Sequence, residues 1–139
     1  MINSPYQKYQ QTQAQTASKP KLLIMLYDGA IKFVTAGIEG ISKKDYNMAN
    51  TNLCKAQAII HELISSLDFN YPQANDLVQV YEYMLYRLIE ANMKKEMTPA
   101  QEILEYLTEL REAWVEAAKT VGGGMGTEWS TKESNYQHF

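Results

Sequence analysis

Apolar residues recur at three- and four-residue intervals from about residue 18 to residue 121, the spacing that gathers them on one face of an α-helix. Four helical segments are predicted, over residues 18–42, 46–66, 75–96 and 99–121. In the third, Leu77, Val80, Tyr81, Met84, Leu88 and Ala91 form a core stripe. Val78, Leu85, Ile89 and Met93 form a second stripe, rotated by about 100°. The first segment repeats the arrangement, with Leu23, Leu26, Ala30, Val34 and Ile41 beside Ile24, Tyr27, Ile31 and Ile38. A helix of a small bundle has one inward face. The surplus stripes therefore need a chain tail, a second subunit or a helix of another protein.

Punctuation between the segments sets the topology. Ser18 and Pro20 mark the first helix start, since a capping hydroxyl and a first-turn proline both suit unpaired N–H positions. Gly29, Gly37 and Gly40 each weaken that helix by about 1 kcal/mol, and Gly29 and Gly37 are expected to admit a close neighbour. The turn over residues 42–45 is short enough to force an antiparallel hairpin. The second helix should bury Ala49, Leu53, Ala56, Ile60, Leu63, Ile64 and Leu67. Asp68, Asn70 and Pro72 then reverse the chain, and Asn75 or Asp76 caps the third helix. Thr98-Pro99-Ala100-Gln101 reads as a capping box with proline first, opening a helix that buries Ile103, Leu107, Leu110, Trp114, Ala117, Ala118 and Val121. The fold class is all-α: an antiparallel four-helix bundle over residues 18–121. Residues 1–17 are expected to form a flexible N-terminal arm punctuated by Tyr6 and Tyr9, and residues 122–139 a glycine-rich stop and disordered tail.

Composition narrows the function classes. At 139 residues the chain is one domain, able to build a core without metal or disulfide staples. A net charge of −3 argues against a nucleic-acid or anionic-membrane surface, and no apolar run is long enough to insert in a bilayer. The single cysteine, Cys54, and the lack of a signal-peptide apolar region point to a reducing cytoplasm.

No catalytic constellation, cofactor motif or metal-ligand spacing is evident, so an enzyme is not expected. His61 stands beside Glu62 without the Glu-x-x-His spacing of a di-metal bundle, and a solvent-facing helix histidine explains it better than a phosphotransfer site. Cys54, next to Leu53, is expected to be a partly buried, inert thiol. The run Gly122-Gly-Gly-Met-Gly126 follows a helix and carries no lysine, which makes it a terminator rather than a phosphate loop.

With the helices placed, several strings resemble one family. Leu22-Leu-Ile-Met-Leu-Tyr-Asp-Gly-Ala30 is similar to the signature of the flagellar export chaperones that bind flagellin, the FliS family. Lys55-Ala56, Ile59-Ile60, Glu62-Leu63 and Leu67-Asp68 agree in order and spacing, as do Tyr81-Glu-Tyr83, Leu88-Ile-Glu-Ala-Asn92 and Glu109-Leu-Arg-Glu-Ala-Trp114. The arm motif Tyr6-Gln-Lys-Tyr9-Gln is also similar. Ser18-Lys-Pro-Lys21 departs from the Ser-Pro-acid opening common in such proteins, and the tail after Gly122 has no usable counterpart.

The resemblance implies a chaperone of the bacterial cytosol, cytoplasmic and non-enzymatic, that holds the disordered C-terminal region of flagellin and prevents premature polymerisation. It also implies delivery to the cytosolic domain of the flagellar type III export gate, with an N-terminal arm near the client surface at Tyr6 and Tyr9. From periodicity, the client-contact candidates on the bundle are Ile24, Tyr27, Ile31, Ile38, Val78, Leu85, Ile89 and Met93. Leu104 and Val115, off the core face of the fourth helix, are expected to line a groove with the third. Met48, Met84 and Met93 would lend such a surface adaptability. A co-chaperone stays open as a further partner. The alternatives are a self-associating structural bundle, whose stripes meet in a homodimer, and a chaperone or adaptor for another helical client.

Overall fold

Each of the four apolar repeats closes into one α-helix: α1 (Lys19–Ser42), α2 (Tyr46–Ser65), α3 (Pro72–Lys94) and α4 (Met97–Gly122). The computed structural model describes residues 19–122, with side chains over residues 20–119. The predicted arm with Tyr6 and Tyr9, the Ser18 cap, Val121 as a buried side chain and the tail after Gly122 lie outside that description. Among the described residues there is no strand.

Short connections impose the antiparallel order. Residues 43–45 join α1 to α2, with Lys44 in the left-handed region at φ 60°. The Asp45 N–H reaches back to the Gly40 carbonyl at 2.8 Å, and its carboxylate caps α2 by accepting from the Met48 N–H at 3.1 Å. Helix α3 begins at Pro72, earlier than the expected start at Asn75 or Asp76. Proline at the first helical position has the right φ and no N–H to leave unpaired, so here it opens a helix as well as ending a loop. That helix ends at Lys94 rather than near Glu96: Lys95 is left-handed at φ 55°, and the Glu96 N–H bonds the Ala91 carbonyl at 3.1 Å. Helix α4 starts at Met97, two residues ahead of Pro99, which still sits in the first turn.

The buried residues step alternately by four and three: Leu23, Tyr27, Ala30 and Val34 in α1, and Ala49, Leu53, Ala56, Ile60 and Leu63 in α2. In α3 and α4 they are Tyr81, Met84, Leu88 and Ala91, and Ala100, Ile103 and Leu107. Ile59 joins this core beside its predicted members. Leu77, Leu110 and Trp114 pack against it half-buried. Val80 does not belong to it: it lies 38% exposed, because Tyr81, Met84 and Leu88 set the inward direction and Val80 is turned roughly 70° from their mean.

Neighbours in sequence are neighbours in space, and α4 closes the ring by packing on both α1 and α3. The diagonal pairs α1/α3 and α2/α4 stay apart. Helices α1 and α2 approach most closely, and two glycines explain why. A Cβ at Gly37 would stand 2.6 Å from Leu53 Cγ and Cδ2, and one at Gly40 would stand 2.6 Å from the Ala49 backbone nitrogen. The expected close packing at Gly37 is present, and Gly40 has the same role.

Candidate functional site

Which seam each surplus stripe faces follows from its neighbours. On α1, Tyr27 and Asp28 reach α4: Trp114 Nε1 donates to the Tyr27 hydroxyl at 3.3 Å, and Arg111 pairs with Asp28. Ile24, Ile31 and Ile38 repeat every seven residues on that same flank, between the directions of Tyr27 and Asp28. On α4, Leu104 lies seven residues before Arg111 and Val115 four after it, so both face α1. The expected groove between these two residues and α3 is therefore not formed. The five side chains line the α1/α4 seam, and all are half-buried.

The stripe on α3 faces the opposite side of the bundle. Asn92 Nδ2 donates to Asn50 Oδ1 of α2 at 2.8 Å. Leu85 lies seven residues and Val78 fourteen residues before Asn92, so both point along the α2/α3 seam, with Ile89 and Met93 further out. This seam is the open one. Val78 and Leu85 are half-buried, whereas Ile89 is 43% and Met93 80% exposed, with Tyr86 at 63% beyond them. On its other wall, α2 presents the exposed Asn50, Cys54 and His61. Leu85, Ile89 and Ile31 are thus not sealed in one interior.

Tyr27 is corrected from contact candidate to core. It has no solvent-accessible surface, and its hydroxyl lies 2.6 Å from that of Tyr81, which is equally buried. Removal from water pushes both phenols above the ordinary tyrosine value, because a phenolate would be poorly solvated there. Met84 is likewise fully buried and Met48 half-buried, which leaves Met93 as the freely exposed methionine of the three expected ones. Cys54, expected to be partly buried, is exposed. It sits one position past Leu53, hence about 100° around the helix from the core. His61 is solvent-facing, as its position suggests.

A third face, between α3 and α4, is polar and aromatic and carried no stripe in the periodicity. Glu102 accepts from the Tyr83 hydroxyl at 2.8 Å, the Tyr106 hydroxyl at 3.1 Å and Arg87 Nε at 2.7 Å. Arg87 also pairs with Glu90, which takes Lys94 at 3.1 Å. Arg87 holds the Glu102 carboxyl below the usual carboxylate range, and Lys94 does so for Glu90. The Glu102 carboxylate in turn raises the Tyr83 and Tyr106 hydroxyls, since each donates to its negative charge. The signal for this network was the spacing of Tyr83, Arg87 and Glu90 along one flank; only the antiparallel pairing supplies Glu102 and Tyr106.

The architecture is that of a four-helix bundle with more apolar surface than its core consumes, and with no cluster of potential metal ligands among the described residues. No helix among them is long and apolar enough to cross a membrane. The chain belongs to the FliS family: residues 1–121 match the family described as flagellar protein FliS. It is 37% identical to the flagellar secretion chaperone FliS of Bacillus subtilis over 119 residues, covering 86% of this chain and 90% of that one. The FliS chaperone of Campylobacter jejuni is 30% identical over 82% of this chain and 91% of its own, and that of Escherichia coli 27% over 73% and 77%.

Proposed function

We infer that this protein is a cytoplasmic, non-enzymatic flagellar secretion chaperone whose client is the disordered C-terminal segment of flagellin. It prevents premature polymerisation of that client and brings it to the cytosolic domain of the export gate. The reading is supported by family membership, since the relatives are flagellar secretion chaperones. The observation that carries it physically is the open apolar strip of Leu85, Ile89 and Met93 along the α2/α3 seam.

An unstructured segment folding as an amphipathic helix on that strip is a helix-in-groove interaction. Ordering the segment costs about 2–5 kcal/mol. Covering about 300 Å² of apolar surface returns about 7 kcal/mol gross, enough to offset that cost before association entropy. Ile24, Ile31, Ile38, Leu104 and Val115 give a second, shallower surface on the far side. A client that uses both seams must pass around the bundle, which takes on the order of ten extended residues. The arm carrying Tyr6 and Tyr9 is proposed to add apolar contacts to the bound client.

Titration calorimetry and circular dichroism with a flagellin C-terminal peptide test this. Binding should be accompanied by a gain in helicity. Absence of heat and of helicity gain at high micromolar concentration would remove the proposal.

A further inference from the structure

The α3/α4 face differs in chemistry from both apolar seams and is the side of the ring that lies between them. Tyr83 and Tyr106 leave 40% and 37% of their surface in solvent, with ring centroids 6.5 Å apart and planes inclined at 42°. Together with Val80, Asp76 and Gln79 they line a shallow, open depression of about 420 Å³. The rings cannot swing freely, because both hydroxyls are tied to Glu102, which Arg87 holds in place. The result is a fixed aromatic floor. Such a surface avoids much of the ordering cost that a mobile side chain incurs on binding.

Charge selects the occupant. Residues 71–122 carry nine carboxylates against five cationic side chains, whereas residues 19–70 carry five against six lysines. Glu102 and Glu90 are already neutralised by Arg87 and Lys94. Asp76 on the rim, and Glu105 and Glu109 beside Tyr106, have no ion pair among the described residues. Part-exposed tyrosine rings beside these three carboxylates attract a cation that is also planar, since a guanidinium stacks on a phenol while its N–H groups reach carboxylates. An ammonium would meet the charge without matching the ring.

We propose that the Tyr83–Tyr106 face of the α3/α4 seam is a second docking surface, which takes an arginine-bearing basic peptide segment of a partner protein. One guanidinium lies on a tyrosine ring above Val80, with Asp76 and Glu109 as its charge partners. The surface is distinct from the client seam, since α2/α3 and α3/α4 are separate sides of the ring.

The probe is an acetylated twelve-residue peptide with three arginines spaced by leucines, added to the isotopically labelled full chain and followed by amide shifts. Lysine and norleucine versions serve as controls. Shifts should concentrate at residues 76, 79, 80, 83 and 106, with the arginine peptide binding several-fold tighter than the lysine one. Tyr106→Ala should weaken it about tenfold, Tyr106→Phe about twofold or less, and Asp76→Asn with Glu109→Gln should flatten its salt dependence. Ile89→Asp should leave it unchanged, which separates this result from any failure of flagellin binding. Equal binding of all three peptides, or shifts spread elsewhere, overturns the proposal. So does loss of free surface to a second copy, seen as concentration-dependent shifts at these residues without peptide and a doubled mass in sedimentation.

Discussion

The hydroxyls of Tyr27 in α1 and Tyr81 in α3 meet at 2.6 Å in the bundle interior, joining two helices that do not pack on each other. Trp114 of α4 donates to the same Tyr27 oxygen, so three helices share one polar node in an otherwise apolar core. A hydrogen bond at that depth demands a partner. Its geometry therefore fixes the relative rotation of α1, α3 and α4 more sharply than apolar packing does.

Removing the hydroxyls should expose this dependence. Tyr81→Phe is expected to cost about 1–2 kcal/mol, and Tyr27→Phe about 2–3 kcal/mol because both Tyr81 and Trp114 lose a partner. The double variant should cost less than the two singles together, by about 1 kcal/mol. Urea denaturation of the four proteins measures the cycle, with Trp114 fluorescence as a local reporter.

The same pair sets an alkaline limit. Burial raises both phenols above the ordinary value of 10.0, so folding favours their neutral forms. That contribution is complete below pH 10.0 and is lost as pH climbs toward ionisation in the folded state. Stability should fall between about pH 10 and pH 12, and more gently in the Tyr27→Phe/Tyr81→Phe variant. Urea midpoints across that range, beside a spectrophotometric tyrosine titration, provide the check.

Gly40 and Gly37 should respond differently to a methyl group. At Gly40 the new Cβ meets the Ala49 backbone, which cannot yield without parting the helices. Gly40→Ala should destabilise by about 2–3 kcal/mol. At Gly37 the obstacle is the Leu53 side chain, which can turn, and alanine returns about 1 kcal/mol of helix propensity. Gly37→Ala should therefore cost about 1 kcal/mol or less, read from the same denaturation curves.

Ile89 and Met84 share a helix and contrast in exposure, which separates the client seam from the core. Ile89→Asp should stay within about 1 kcal/mol of the parent and keep its helicity, while weakening a flagellin C-terminal peptide tenfold or more. Met84→Asp, which places a carboxylate where nothing can solvate it, should unfold the bundle. A folded Met84→Asp protein, or an unfolded Ile89→Asp one, would mean that Ile89 faces the core and Met84 the solvent.

A smaller gain is available at the first turn. Lys44 holds φ 60°, a left-handed conformation that costs an L-residue about 1–2 kcal/mol. After glycine's own entropy loss, Lys44→Gly should stabilise by about 0.5–1 kcal/mol, seen as a higher thermal midpoint.

The number of helices, their antiparallel order and most of the core were legible in the spacing of Leu23, Leu53, Leu88 and Leu107 and their neighbours. Apolar periodicity is a local property, and residues three and four apart share a face in any α-helix. The short turns at residues 43–45 and 95–96 leave the chain no course but to reverse. Family strings such as Leu22–Ala30 were equally readable, since they need no coordinates.

Which flank of a helix meets which neighbour was not readable. Tyr27 stands beside Ile24 and Ile31 on the edge of the outer stripe, yet it falls on the inward repeat Leu23, Tyr27, Ala30 and Val34; what only the tertiary structure supplies are Tyr81 and Trp114, which arrive from two other helices to satisfy its hydroxyl. Spacing alone points Leu104 and Val115 to a groove with α3, but the Arg111–Asp28 pairing turns their flank toward α1. Periodicity gives a direction around a helix axis. Only the assembled ring supplies the partner in that direction, and with it the division of the surplus apolar surface into two seams on opposite sides.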